Sequence, residues 1–309
     1  MPSSLLRAAE QPLEYVRCNL CGADDATRLR SEGELHLVRC RGCGLVYVTP
    51  RLTEGAIQGL YEDHYFGTGS GAGLGYRNYT ADQENLLRTF RKRMRWLETY
   101  GEPGGRLLDV GCAAGFFMQV GRERGWEVYG VEPAGCMAEF ARSHLGLEVF
   151  AGKLREADYR PGFFDAVTLW DVLEHMTDPH QELLEVNRVL RPGGLLVVET
   201  QNVASWVARA LGQRWHHYGN QLHLFHFTPQ TITRLLAETG FRLVKITRTT
   251  AGKVCSVQFL VDKLKRFNRT AARATGGLLK HWPGLARRSL YLNPGDEMIV
   301  CACKPVEVP

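Results

Sequence analysis

The chain has 309 residues, 44% of them apolar, with 38 basic and 33 acidic side chains and a formal charge of +5. That apolar share can build a full core with a small module beside it, and the mild positive excess falls short of the surface of a dedicated nucleic-acid binder. The first residues are broken by Arg7, Glu10, Pro12 and Glu14, and no later run is long and apolar enough to span a bilayer, so a cytoplasmic location is the expectation.

Four of the nine cysteines fall in two spaced pairs, Cys18-Asn-Leu-Cys21-Gly22 and Cys40-Arg-Gly-Cys43-Gly44. Tetrahedral zinc needs four thiolates converging on one point, and a CxxC turn delivers two together, the following glycine permitting the turn. The eighteen residues between the pairs accommodate a hairpin whose return strand is Leu35 to Arg39. The segment 14–50 therefore reads as a zinc ribbon with Cys18, Cys21, Cys40 and Cys43 as ligands. A closed shell of four thiolates makes the zinc structural.

A stretch rich in Gly and Tyr follows over 51–80, read as a linker or lid with a short helix near Glu54 to Tyr61; Tyr79, near its end, is a candidate for a cofactor pocket. From Ala81 to Tyr100, Leu86, Leu87, Phe90, Met94 and Leu97 recur on one face and predict a helix. Beyond Arg106, short apolar runs alternate with helical segments. The strands are Arg106 to Val110, Glu127 to Val131, Phe164 to Trp170, Leu195 to Thr200, Phe241 to Thr247 and Met298 to Cys303. The helices are Phe116 to Arg124, Cys136 to His144, His180 to Val189 and Pro229 to Thr239. Such alternation makes an α/β fold with a parallel sheet covered on both faces, and ligands in such folds sit at the carboxyl ends of the strands.

The central motif is Leu107-Leu-Asp-Val-Gly-Cys-Ala-Ala-Gly115, an apolar strand with an acid at Asp109, a turn at Gly111 and a helix opening near Gly115. Glycine lets the backbone turn tightly and approach a ligand, and the amides at a helix start favour an anionic group. Cys112 lies inside the turn. About twenty residues on, Tyr129-Gly-Val-Glu-Pro133 puts Glu132 and Pro133 at the next strand's end, where a carboxylate can accept from both hydroxyls of a ribose.

With Phe164-Asp-Ala-Val-Thr-Leu-Trp-Asp-Val-Leu-Glu-His175, Arg188-Val-Leu-Arg-Pro-Gly-Gly194 and His226-Phe-Thr-Pro229, these elements resemble the class I S-adenosylmethionine methyltransferases over roughly Ala81 to Thr247. The resemblance implies a Rossmann-like sheet, mostly parallel with an antiparallel last strand, in a domain covering 81–309. It also implies a cofactor pocket of Asp109, Gly111, Cys112, Gly115, Glu132, Pro133, Leu154, Trp170 and Asp171. Many relatives carry an acid after the glycine ending the third strand; here Gly152 is followed by Lys153, and Asp158 is the candidate substitute. An insertion over 201–227 is expected to form the acceptor wall, and a second over 250–295 is basic and amphipathic.

Histidine is the natural base if the acceptor must lose a proton. His216, His217, His223 and His226 cluster in the first insertion. The ribbon plus this core resembles sugar C-methyltransferases, in which a Tyr-His-Glu-His run precedes a Phe-Ser pair; aligning Phe227-Thr228 to that pair puts His223 on the final histidine, while Asn220, Gln221 and Leu222 depart from the run. Asp171, Glu174 and His175 resemble the D-x-x-E-H metal run of ubiquinone-pathway O-methyltransferases. On a helical face they could hold a second divalent cation, with Leu-Glu-His stabilising a turn as the plainer reading. His223, His226 and His175 are the candidate bases.

In the second insertion Val257, Leu260, Val261, Leu264 and Phe267 fall at helical spacing, and Lys263 to Arg288 holds eight basic residues and no acid. That pattern suits a cleft cap, a subunit contact or an anionic membrane surface. No oligomeric state follows from the residues. The expected activity is methylation of a small acceptor, a sugar, natural product or lipid and quinone intermediate, at oxygen or carbon. Two alternatives are an RNA methyltransferase that reads substrate through its ribbon and a non-catalytic module that docks a partner. Trp170-Asp171-Val172-Leu173 lacks the run that grips a base amine, which weighs against RNA, and intact Asp109, Gly111, Gly115 and Glu132 weigh against loss of catalysis.

Overall fold

The computed structural model describes residues 12–60, 82–101, 103–220, 222–258, 261, 284 and 288–306. The N-terminal part contains β1 (Leu13–Glu14), β2 (Ala26–Glu32), β3 (Leu35–Cys40), β4 (Val46–Val48), β5 (Arg51–Leu52) and helix α1 (Glu54–Leu60). Strands β2, β3 and β4 form an antiparallel meander.

Helix α2 (Gln83–Leu97) follows, then β6 (Arg106–Val110), α3 (Phe116–Glu123), β7 (Glu127–Glu132), α4 (Gly135–Leu145), β8 (Glu148–Ala151) and β9 (Phe164–Trp170). The second half holds α5 (Pro179–Val189), β10 (Leu190–Gln201), α6 (Trp206–Leu211), β11 (Phe225–His226), α7 (Pro229–Glu238), β12 (Arg242–Thr247), β13 (Lys253–Ser256), β14 (Ser289–Leu292) and β15 (Glu297–Cys303).

The main sheet runs β12-β15-β10-β9-β6-β7-β8. Strands β10, β9, β6, β7 and β8 are mutually parallel, and β15 inserts antiparallel between β10 and β12, as expected for the last strand. Strand alternation sends Leu108, Val110, Val167, Leu169, Leu196 and Val198 into one apolar layer and Leu107, Ala166, Trp170, Leu195 and Val197 into the other. Helices α5 and α7 cover the first layer and α2 and α3 the second.

The ribbon is built onto the first layer. Cys18, Leu20, Val38, Leu45 and Tyr47 share one core with Phe164, Phe225 and Phe227. Strand β11, at the end of the 201–227 insertion, pairs with β4 and completes the ribbon's sheet in the order β11-β4-β3-β2. Nothing in the cysteine spacing announces this seam, because its partners lie far apart in the chain.

The 250–295 insertion begins and ends as a paired ladder, Lys253 opposite Leu292 and Ser256 opposite Ser289, packed on α2 through Val254 N–H to Thr89 Oγ1 at 2.9 Å. The ladder was not expected, since four residues of mixed polarity carry no periodic signal. Of the apolar stripe, Val257 and Val261 are helical and Val261 is buried; Leu260, Leu264 and Phe267 lie outside the described residues. No helix among the described residues is long and apolar enough to cross a membrane.

Candidate active site

The two cysteine turns are near copies. Gly22 N–H donates to Cys18 O at 2.8 Å and Gly44 N–H to Cys40 O at 3.0 Å, each glycine at positive φ. Sγ of Cys18 lies 3.4 Å from Sγ of Cys43, and Cys21 lies 3.4 Å from Cys40. All four sulfurs fall within 4.8 Å of one another, and none is in a disulfide. Ligands on a tetrahedral zinc with bonds of about 2.3 Å stand roughly 3.8 Å apart, so the donor set fits that ion. Burial raises the Cys43 thiol to about 11; at Cys40 hydrogen bonds from the Cys43 amide, the Cys21 thiol and the Gly42 amide outweigh burial and bring it down to about 7.

At the carboxyl end of β6, Gly111 and Gly115 both have positive φ, +71° and +80°. A Cβ on Gly111 would stand 2.6 Å from Val172 Cγ2, and one on Gly115 2.5 Å from Leu147 Cδ1. The close approach these glycines permit is therefore to neighbouring side chains as well as to a ligand. The buried Glu132 carboxylate closes the loop, Oε2 accepting from Ala113 N–H and Oε1 from Ala134 N–H, both at 2.8 Å. Asp109 accepts from Thr168 Oγ1 at 2.7 Å. Burial lifts both carboxyls to about 7.

Trp170 ends β9 with its ring 4.9 Å from Phe117, and Asp171 follows at φ +57°. Leu154 is buried, whereas Pro133 and Asp158 are exposed and Cys112 points into the packing between α3 and α4. Lys153 is paired with Glu54 of α1. Tyr79 lies outside the described residues.

Above this edge sits an ionic cluster the sequence did not reveal. Buried Arg93 of α2 pairs with buried Glu199 of β10, its guanidinium 5.1 Å from the Trp170 ring centroid. Against the cost of burial, Glu199 and Asp171 hold Arg93 in its charged form. Lys253 bridges Asp171 Oδ2 at 2.9 Å and Glu297 Oε1 at 2.8 Å. Both anchors had a signal: Arg93 falls on the apolar stripe of its helix, and Glu199 interrupts a buried strand, where a charge needs a partner.

The histidines do converge. His175 and His223 rings are 4.6 Å apart, His217 and His223 5.5 Å, and His223 and His226 6.1 Å. His226 is held by Gln201 Nε2 at 3.1 Å from its Nδ1, and Glu174 accepts from Thr200 Oγ1 at 2.9 Å. Burial keeps the imidazoles neutral, lowering His175 to about 4 and His226 to about 3 and His223 well below its ordinary value. Leu224 ties the group to the ribbon, its carbonyl accepting from Val48 N–H at 2.9 Å and its N–H donating to Glu174 O at 2.8 Å.

The expected D-x-x-E-H face is divided. Leu173–His175 is a single 3-10 turn, and the left-handed Asp171 before it directs its carboxylate toward Lys253. Glu174 and His175 gather with His223, and Asp171 gathers with Glu199 and Glu297.

Residues 79–246, more than half of the chain, match the family model described as a methyltransferase domain. The chain belongs to that family. A ubiquinone biosynthesis O-methyltransferase of Xanthomonas campestris pv. campestris is 33% identical to this methyltransferase-family chain over 138 residues, 38% of the chain and 56% of the relative. The protein of the same description from Thiobacillus denitrificans is 27% identical over 183 residues, 53% of the chain and 77% of the relative. The chain thus spans about half the length of the first of these relatives. A SAM-dependent methyltransferase structure from Archaeoglobus fulgidus shares the fold, with a TM-score of 0.51 at 19% identity over 74% of this chain and 100% of that one.

Proposed function

We propose that the chain transfers a methyl group from S-adenosylmethionine to an oxygen of a small hydroxylated acceptor of the quinone-precursor kind. The observation that carries the reading is the meeting of two half-sites at one edge of the sheet: Asp109 and Glu132 at the ends of β6 and β7, and neutral histidines beyond the ends of β9 and β10. Relatives described as ubiquinone biosynthesis O-methyltransferases support the acceptor class.

The cofactor supplies an electrophilic methyl on a sulfonium. Glu132 would hold the ribose through the carboxylate oxygens that brace the loop, and Trp170, packed against Phe117 and Arg93, would border the cofactor site. The histidine wall orients the acceptor and excludes water, the chief requirement of an in-line displacement. His223 would take the hydroxyl proton as the acceptor oxygen bonds the methyl carbon and the carbon–sulfur bond breaks to release S-adenosylhomocysteine, with the His175 ring 4.6 Å and the His226 ring 6.1 Å from its own. A neutral imidazole needs no prior loss of a proton at pH 7, and because the burial that keeps it neutral also makes it a weak base, it takes the proton as the methyl transfers rather than before. The four thiolates would hold a structural zinc that keeps β4, and through it β11 and the wall, in place.

The test is methyl transfer from labelled S-adenosylmethionine to ortho-dihydroxylated aromatic acceptors, alongside calorimetry with S-adenosylhomocysteine. Binding of one S-adenosylhomocysteine per chain and turnover sensitive to His223→Gln are expected. Failure to bind it, or tighter binding of a nicotinamide dinucleotide, would refute the reading.

A further inference from the structure

A second convergence of ligand atoms lies away from the thiolates and outside the Asp171-Glu174-His175 run. His216 and His217, adjacent in the 3-10 turn His216–Gly219, both face Asp296, which closes the loop before β15. His216 Nδ1 stands 3.9 Å and His217 Nε2 3.8 Å from the same oxygen, Asp296 Oδ2. The three ligand atoms fall within 4.8 Å of one another.

We propose that these three side chains form a binding site for one divalent transition ion of the zinc class. Three features lead there. The nitrogen-to-oxygen distances exceed any hydrogen bond, yet they are close to the roughly 3.4 Å between ligands on a tetrahedral ion with bonds of about 2.0–2.1 Å. Closing each of these two gaps by about half an ångström would bring it to that spacing.

The charge also fits. The imidazole rings are 4.0 Å apart, so protonating both to pair with Asp296 would set two like charges face to face, whereas one dication serves both neutral rings and the carboxylate. The support is already built: Asp296 is buried, and buried Trp215 donates its indole N–H to Asp296 Oδ2 at 2.8 Å, orienting the carboxylate as outer-shell donors do for ligating groups. Two imidazoles and one carboxylate select zinc, cobalt, nickel or iron over magnesium or calcium. Three protein ligands leave a coordination position for water or an oxygen ligand.

Full-length protein equilibrated with zinc and desalted should carry two zinc ions per chain by mass spectrometry, and His216→Ala and Asp296→Asn should each carry one. His216 is partly exposed, so its substitution leaves the fold intact even if that of Asp296 does not. In the cobalt-loaded protein the thiolate charge-transfer band should persist in His216→Ala while the weaker nitrogen-and-oxygen site is lost. The affinity of that site should fall by more than the 10- to 100-fold typical of losing an outer-shell partner. Trp215→Phe, which removes only the indole donor, should weaken it about tenfold. One zinc per wild-type chain, two retained in both His216→Ala and Asp296→Asn, or a second ion lost with Glu174→Gln but kept in His216→Ala would each overturn the assignment. None of these readouts depends on the acceptor reading.

Discussion

The cofactor edge and the histidine wall occupy neighbouring strand ends but are assembled differently. Asp109, Gly111, Gly115 and Glu132 come from one strand-helix-strand unit, and the loop is braced from within by amides meeting a carboxylate. The wall draws Glu174 and His175 from one segment and His216 to His226 from another, and β4 of the ribbon secures it from outside. A local unit tolerates damage elsewhere, whereas a wall borrowed from three segments fails when any one is released.

Cys40→Ser should break that comparison hardest, because structural zinc contributes on the order of 10–16 kcal/mol to folding of such modules. Zinc content should drop, and acceptor turnover should fall more than about 100-fold, the scale of a misplaced substrate, while calorimetry shows S-adenosylhomocysteine affinity within about threefold of wild type. Intact turnover without zinc would show that the wall stands alone.

Arg93→Met probes the join between α2 and the sheet. Left unpaired at 0% exposure, Glu199 should cost about 3–5 kcal/mol in urea unfolding. The double variant with Glu199→Met should recover most of it, since apolar replacement of a whole buried pair is often neutral. A single variant of unchanged stability would mean the pair is solvated.

On the cofactor edge, Glu132→Ala should weaken S-adenosylmethionine binding by about 1.5–3 kcal/mol, roughly 10- to 150-fold, the range for hydrogen bonds to a charged group. Because burial lifts both Glu132 and Asp109 to about 7, wild-type affinity should decline as pH falls below that value, and the variant, which keeps Asp109, should show a shallower dependence. Equal pH profiles would place the ribose elsewhere.

The smallest effect concerns acid stability of the wall. His175 and His226 are depressed to about 4 and 3, so below about 6.5 the unfolded chain takes up protons the folded chain refuses. Stability is therefore lost as pH falls from about 6.5 toward 4, by about 1 kcal/mol per histidine between pH 7 and 5.5. His226→Gln should remove about one such increment from the measured difference in urea midpoints. No change would mean that His226 is solvated in the native state.

The same contrast explains what the sequence disclosed. The thiolate pairs and the Leu107–Gly115 turn were legible because their chemistry is written within a few residues. The wall's histidines were visible as a cluster in the chain, but their seam to β4 was not, since strand pairing across such a separation leaves no local periodicity. Asp171 turns its carboxylate to Lys253 and away from a shared helical face with Glu174 and His175, because a left-handed residue and a 3-10 turn replace the helical spacing. The Arg93–Glu199 pair spans 106 residues and could be sensed only as two charges in apolar company.

The seam between Val46–Val48 and Phe225–His226 has a bearing on how such proteins diversify. A loop that is also a strand of another sheet cannot be exchanged by itself. Chimeras that transplant 201–228 from a relative with a different acceptor should stay inactive until residues 12–53 travel with it, so the two segments would be inherited as one unit despite the long stretch of chain between them.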